Sequence, residues 1–319
     1  VDLVARGEVH GVISLGGTQG TANCSQVMQA LPYGLAKVLV STMASSDTSG
    51  YVGIKDITMM FSVSDILGLN PLFRQILSNA AGAVVGMANA AIDSGFDSGR
   101  PLIGMTNLGC LTQGAMKAIE KFAERGYETI VFHAVGSGGK AMEQLMRDGI
   151  ITAVFDYAQG DLVDYKFGGI RAADEDRLTV ASALGLPQVV VPGGIDHIGV
   201  ILDEPNVVTD EYKDRLYAFH NPVILVPRTT ADEIVQVMEE IGKRLDHANT
   251  NTLFILPKKG VSSYSVEGGA LYDAESDAAL YASVRTLLPD SIPLIEVDAT
   301  AESDELVTLA VNELIKLIE

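Results

Sequence analysis

Cysteine and basic residues are both scarce in this 319-residue chain. Two cysteines, Cys24 and Cys110, make neither a disulfide framework nor a cysteine-rich zinc site. So few thiols fit a reducing compartment, and a cytoplasmic location is expected. Lys and Arg number 22 against 41 Asp and Glu, for a formal net charge of −19. Phosphate backbones and anionic lipid repel such a chain, so no nucleic acid and no membrane surface is expected as a partner. No basic-then-apolar leader opens the stretch. Also missing are a Walker phosphate loop, a Gly-x-Ser-x-Gly elbow, a His-Glu-x-x-His helix and the kinase motif set. The run Gln75 to Ile92 carries no charge, yet it is mostly alanine and holds Ser78, Asn79, Asn89, Gly82 and Gly86. It is too polar and too small-sided for a lipid-facing helix. It reads as a buried helix whose Gly82/Gly86 face admits another backbone, either within the chain or at a subunit interface.

What is present suffices for a large core, with 47% hydrophobic and 20% charged residues. At roughly 100–200 residues per domain, the length allows one large or two medium domains. Residues 1–98 are nearly neutral at −3, whereas residues 99–319 carry −16. That shift, with the polar Gly-rich stretch Asp93–Arg100 as linker, predicts a first domain over 1–98 and a second over 99–319. The stretch opens on half a helix at Val1–Ala5, capped by Gly7, so an upstream strand and helix are expected in the full protein.

Runs apolar on both parities predict buried strands at Gly11–Leu15, Ala36–Ser41, Leu102–Met105, Thr129–His133, Ala153–Asp156, Gln188–Val191, Val223–Val226, Thr252–Leu256 and Leu294–Val297. Helical stretches alternate with them. Ala231–Leu245 carries a 3.6-period stripe behind a Thr230/Glu233 capping box, and a last helix over 304–318 follows Ser303 as N-cap. The pattern predicts an α/β fold of two Rossmann-like subdomains, mainly parallel sheets with flanking helices.

Two Gly-rich strand-to-helix turns carry the chemistry on offer. The first is Gly16-Gly17-Thr18-Gln19-Gly20-Thr21, and the second is Gly136-Ser137-Gly138-Gly139-Lys140 after His133. Glycines let a ligand approach the backbone, and the N–H groups opening each helix face an anion. Lys140 and Arg177 are candidates to add positive charge. His133, Asp196 beside His197, and His220 are candidates for acid–base work at strand ends. Asp156, Asp176 or Asp196 could ligate a divalent metal, but no spacing specifies a site. Cys24 reads as a small core residue.

The runs SLGGTQGTAN, ALPYGLAKVLVSTMASSDTSGYVGIKDITMMFSVSDILGLN, FHAVGSGGKAMEQL, GLPQVVVPGGID, FHNPVILVPRT and LPKKGVS resemble an uncharacterised family of bacteria, archaea and plants. That family is described as a Tm-1-like ATP-binding domain, and its plant members include the inhibitory domain of a tomato mosaic virus resistance protein. The resemblance covers essentially the whole chain. It implies two Rossmann-like subdomains, ATP as ligand with magnesium as its companion, and a further upstream segment with a Gly-Thr-x-Asp-Thr-Lys-like loop. It also implies arginine where Lys259 stands, and it supplies no reaction. The expected function is therefore ATP binding in a cleft between subdomains. The alternative is an enzyme using His/Asp acid–base chemistry on a small anionic carboxylate or phosphate metabolite, and a third reading is a non-catalytic regulator. A homo-oligomer, most simply a homodimer through the first domain, is expected from the uncharged helix.

Overall fold

The computed structural model describes residues 1–90, 101–246 and 251–319. It divides into two compact units, Val1–Ser98 and Gly99–Glu319. The expected linker at Asp93–Arg100 lies outside the described residues.

In the first unit, α1 (Asp2–Ala5), β1 (Gly11–Gly16), α2 (Thr18–Gln29), β2 (Ala36–Ser41), α3 (Ser49–Val52), β3 (Thr58–Phe61) and α4 (Pro71–Asn89) follow in order. The strands form one parallel sheet in the order β1-β2-β3. The central strand β2 is buried throughout, and its alternating side chains supply two small cores. Val38 and Val40 meet Phe73 and Ala80 of α4, while Leu39 meets Met28 and Ile57. Two expectations need correction here. Strand β1 is not buried on both faces, because Ile13 and Leu15 are 44% and 43% exposed. Helix α4 is buried only at Phe73 and Ala80. A β-carbon at Gly82 or Gly86 would meet nothing within 4 Å, so among the described residues of this unit no other backbone packs on that face. Asn70 caps α4 by accepting from the Phe73 amide at 2.9 Å, with Pro71 fixing the first turn. Among the described residues no helix is long and apolar enough to cross a membrane.

The second unit runs β4 (Leu102–Asn107), a 3₁₀ turn (Gly109–Leu111), α5 (Thr112–Glu124), β5 (Glu128–His133), α6 (Ser137–Arg147), β6 (Ala153–Ala158), α7 (Gly160–Phe167), α8 (Val180–Leu184) and β7 (Gln188–Gly193). It continues with β8 (Val200–Ile201), β9 (Tyr217–Asn221), β10 (Ile224–Pro227), α9 (Ala231–Leu245), β11 (Thr252–Pro257), α10 (Ala274–Leu287), β12 (Leu294–Val297) and α11 (Asp304–Ile318). Six strands pair in parallel in the order β12-β11-β7-β6-β4-β5. The two-residue period of a strand splits the core cleanly. Val189, Val191, Leu253 and Ile255 face α5 and α11, where Phe122, Leu306, Val307 and Leu314 are buried. Val190, Phe254 and Leu256 face α7, α9 and α10 through Leu162, Ile234, Met238, Ile241 and Leu280. The Thr230/Glu233 capping box of α9 forms as the sequence predicts.

The run at 223–226 departs from expectation. It reads as another buried parallel strand, but as β10 it pairs antiparallel with β8 and β9 in a separate small sheet. A short apolar run does not by itself distinguish a central parallel strand from the middle of a three-stranded flap.

Candidate functional site

Strand β4 is the first of its sheet in sequence, yet it lies between β5 and β6. Successive crossovers leave it toward opposite sides. In open parallel sheets, ligands bind outside the carboxyl ends of the strands at such a reversal. A cavity of about 130 Å³ opens there. The segment after β4 supplies Leu108, Gly109 and Cys110, and the turn after β5 supplies His133 and Val135. Ile170 and Arg171 follow α7, and His197 and Gly199 follow β7. The small antiparallel sheet contributes His220, Ile224 and Val226, and Tyr264 completes the wall. No Asp or Glu is among these residues.

The three histidines are held differently. His133 is exposed, with Nδ1 3.1 Å from the Asn107 carbonyl oxygen. A carbonyl only accepts, so Nδ1–H donates to it and Nε2 is the ring nitrogen left for a ligand. His220 is exposed on β9, with Cε1 3.6 Å from where a Gly109 β-carbon would stand. His197 is 2% exposed, and both ring nitrogens are engaged. Its Nδ1 lies 2.9 Å from Asp196 Oδ1, and Nε2 lies 3.1 Å from Arg171 Nη1. Arginine only donates, so Nε2 accepts and Nδ1–H points at the carboxylate.

Arg171 is fixed from behind by Asp164. Its Nε and Nη2 donate to the two Asp164 oxygens at 2.8 and 2.9 Å, and Nη2 also donates to the His197 carbonyl at 3.1 Å. The Arg171 and Gly199 amides complete the set on Asp164, each at 2.9 Å. At the far end, Asp196 is fully buried and accepts from the Ser262 hydroxyl. Burial pushes its carboxyl up, but His197, Arg228 and Ser262 together outweigh burial and hold it below the usual carboxylate range. Asp196 and His197 therefore do not form a free acid–base pair; they brace the pocket wall. Cys110 keeps its proton, because burial raises its thiol far above the ordinary value and Asp196 adds to the rise.

The remaining predicted site residues lie elsewhere. Arg177 is 1% exposed and locked among acids, with Nε on Asp161 at 2.8 Å and both Nη atoms on Asp156. It offers no surface to a ligand. Gly138 and Gly139 are required by the chain's own packing. A β-carbon would stand 1.9 Å from the His133 carbonyl oxygen at Gly138, and 2.9 Å from Arg177 Cδ at Gly139. Gly136 has a φ of +61° and lies under the Ala172 carbonyl, while Ser137 and Lys140 are exposed. In the first loop, a β-carbon at Gly16 would collide with the Gly20–Thr21 backbone, and Thr21 is spent on Gly16 and Ser41. Gly17 and Thr18 remain approachable, with Gly17 the N-cap of α2 and no side chain capping it. Among the described residues no three His, Cys, Asp or Glu are grouped to hold a metal ion. Asp156 and Asp196 belong to separate clusters, and Asp176 pairs at the surface with Arg147 at 2.6 Å. Cys24 is half-buried and accepts from the Ser14 hydroxyl. Composition alone did not single out Arg171, Asp164 or Tyr264; the Gly168-Gly169 pair just before Ile170-Arg171 was the nearest signal.

Residues 1–93 match the N-terminal domain, and residues 100–318 the C-terminal domain, of the uncharacterised protein family UPF0261. The chain belongs to that family. It is 40% identical over 312 residues to a UPF0261 protein of Clostridium tetani, covering 98% of this chain and 76% of the relative. A UPF0261 protein of Mesorhizobium japonicum is 39% identical, covering 90% of this chain and 71% of the relative. The tomato ToMV resistance protein Tm-1(GCR237) is 34% identical, covering 88% of this chain and 38% of that protein. A crystal structure of a monoacylglycerol lipase from Paleococcus ferrophilus aligns at a TM-score of 0.34 and 12% identity, over 68% of this chain and 96% of that one. At that score it carries no argument.

Three carboxylates, Asp156, Asp161 and Glu143, face the Arg177 guanidinium, and Glu143 lies 3.9 Å from it. Burial raises Glu143 to about 8, against an ordinary 4.5. The folded state therefore binds a proton that the unfolded state has released, and this contribution to stability is lost as pH rises from about 4.5 through 8. Urea unfolding across that window should show Glu143→Gln flattening the decline. A variant profile parallel to wild type would contradict this.

Proposed function

We propose that this UPF0261 protein binds a small anionic metabolite in the pocket of its second unit and performs acid–base chemistry on it. The observation that carries the reading is the pocket's acid-free, basic-residue lining. In a chain of net charge −19, the lining holds Arg171 and three histidines and no carboxylate. Size points the same way. A cavity near 150 Å³ holds benzene, so about 130 Å³ suits roughly six non-hydrogen atoms. Leu108, Val135, Ile170 and Val226 exclude water around such a ligand and strengthen its charge contacts. His133 is the base, because its Nδ1–H is anchored on Asn107 and its Nε2 is free to take a proton. His220 faces the ligand from the small antiparallel sheet, Arg171 offers the anion its Nη1 edge, and His197, with both ring nitrogens engaged, holds Arg171 in place.

Titrating acetate, lactate and phosphate at constant ionic strength should raise the melting temperature saturably for at least one acid. A ligand at 100 times its Kd adds about 2.7 kcal/mol, well within detection. The double variant His133→Gln/His220→Gln should weaken that ligand by about tenfold, the scale of one charge-assisted hydrogen bond. No response to any acid would contradict the reading.

A second reading is supported by the first unit and concerns ATP with magnesium. Helix α2 opens at the end of a parallel strand with Gly17 and Thr18 exposed or half-exposed and its first turn uncapped by any side chain. These residues suit a phosphate, which would approach along Gly17. A β-carbon at Gly17 has only Thr42 Oγ1 within 4 Å, at 3.9 Å, so valine there is tolerated by the fold. Calorimetry with magnesium–ATP should show binding to wild type and a loss of about tenfold or more for Gly17→Val. Equal affinities would remove the nucleotide from this loop.

A further inference from the structure

Six ionisable side chains line the cavity: Cys110, His133, Arg171, His197, His220 and Tyr264. Burial keeps the proton on the Cys110 thiol and on the Tyr264 phenol. Both His197 nitrogens are engaged, so that ring moves no proton. Arg171 stays charged but still has a hydrogen bond to give. Of the five N–H groups of a guanidinium, Nε and Nη2 spend three on Asp164 and the His197 carbonyl, and Nη1 spends one on His197 Nε2. One N–H of Nη1 is left over. His133 and His220 remain as the groups that exchange protons with a ligand. Both are exposed. His133 keeps Nε2 free while Nδ1–H donates to the Asn107 carbonyl. Among the described residues no hydrogen bond holds either ring nitrogen of His220. A neutral imidazole of that kind always presents an N–H on one nitrogen. The two rings come from different sheets, on β5 and β9, yet both line one small cavity. A molecule that fills the cavity meets both.

We propose that this pocket enolises a short 2-oxo carboxylate, with His133 as the base and His220 as the donor to the enolate oxygen. This rests on the anion-site reading given above. The substrate carboxylate takes the spare Nη1 N–H of Arg171. His133 Nε2 removes a proton from C3. The C3–H bond breaks, its electron pair forms the second C2–C3 bond, and the carbonyl π pair moves onto oxygen. The His220 N–H meets the charge that develops there. The proton now on His133 exchanges with water, because that ring is exposed, and the reverse step returns a proton to C3. Nothing is oxidised or reduced. The donor set selects the carbonyl. A neutral imidazole moves a C–H proton when the electron pair left behind has an oxygen to reach, and a saturated acid such as propionate offers none. Size agrees, since a three-carbon oxo acid has about the six non-hydrogen atoms that the cavity suits.

The test follows the methyl signal of pyruvate in deuterium oxide by proton NMR, with binding measured separately by calorimetry. Wild type should replace the methyl hydrogens with deuterium faster than buffer does. His133→Gln and His220→Gln should each slow the exchange by about a hundredfold, the scale of one lost acid–base or oxyanion partner. Each should change pyruvate affinity by no more than about tenfold, the scale of one hydrogen bond. Oxamate has the shape of pyruvate and no C–H bond, so it should bind and stop the exchange. Should a variant fail to fold, judged by circular dichroism, the oxamate arm decides alone. Pyruvate bound without exchange above buffer overturns the proposal and leaves the anion-site reading standing. Exchange that persists in folded variants, or under saturating oxamate, also overturns it, because the proton then moves elsewhere. Failure of wild type to bind either acid removes the anion-site reading itself, and the proposal with it.

Discussion

The position of one buried carboxylate decides the shape of the candidate site. Asp164 is 0% exposed, and its two oxygens take hydrogen bonds from the Arg171 side chain and from the Arg171 and Gly199 amides. There is no room to vary this arrangement. A β-carbon at Gly169 would stand 2.3 Å from the Asp164 carboxyl carbon, and one at Gly199 would stand 2.8 Å from its Oδ2. Two glycines are thus fixed by the need to enclose one charge. With Asp164 set, the bidentate geometry aims Arg171 at His197, and Asp196 then fixes the far side of that ring. Removing one member would leave a buried charge unpaired, which costs on the order of 3–5 kcal/mol.

That chain of hydrogen-bonded partners also explains how an acidic protein presents an acid-free pocket. Its carboxylates, Asp164 and Asp196, stand behind the wall and are consumed by their partners. What reaches the cavity is the outer edge of Arg171 and of the histidines. The other large polar cluster has the same ingredients and the opposite outcome. Around Arg177 the carboxylates outnumber the cation, the arginine is 1% exposed, and burial raises Glu143 and Asp161. Two arginines of the segment between α7 and α8 thus serve different ends, one bracing a pocket and one filling a core.

Much of the fold was legible in the sequence because double-sided burial writes a continuous apolar run. Strands such as Gln188–Gly193 and Thr252–Pro257 are buried along their whole length, and the α9 cap is local chemistry between Thr230 and Glu233. The misreadings have physical reasons. Strand β1 carries the same kind of run but leaves Ile13 and Leu15 exposed, since a run does not say what covers it. The 223–226 strand pairs antiparallel on both sides, with β9 just before it and with β8 more than twenty positions away, and an apolar run does not announce that. At the site, His133 and His220 were visible as polar residues next to strands, and both line the cavity. Gly138 meets the chain's own His133 carbonyl and Arg177 is enclosed by Asp156 and Asp161, packing demands that neither a glycine-rich turn nor a lone arginine announces in sequence. Arg171 and Tyr264 carry no local motif. Their roles arise from loops that meet only when the sheet closes.

The central claim is that the cavity at the carboxyl ends of β4 and β5 holds a small anion. Solving a crystal structure after soaking with lactate tests it most directly. The account predicts electron density for one acid between Arg171 and His133, with its carboxylate toward the basic residues and its carbon skeleton against Leu108 and Val226. Density for the acid only at the molecular surface, with this cavity unchanged at a concentration that saturates binding in solution, would contradict it.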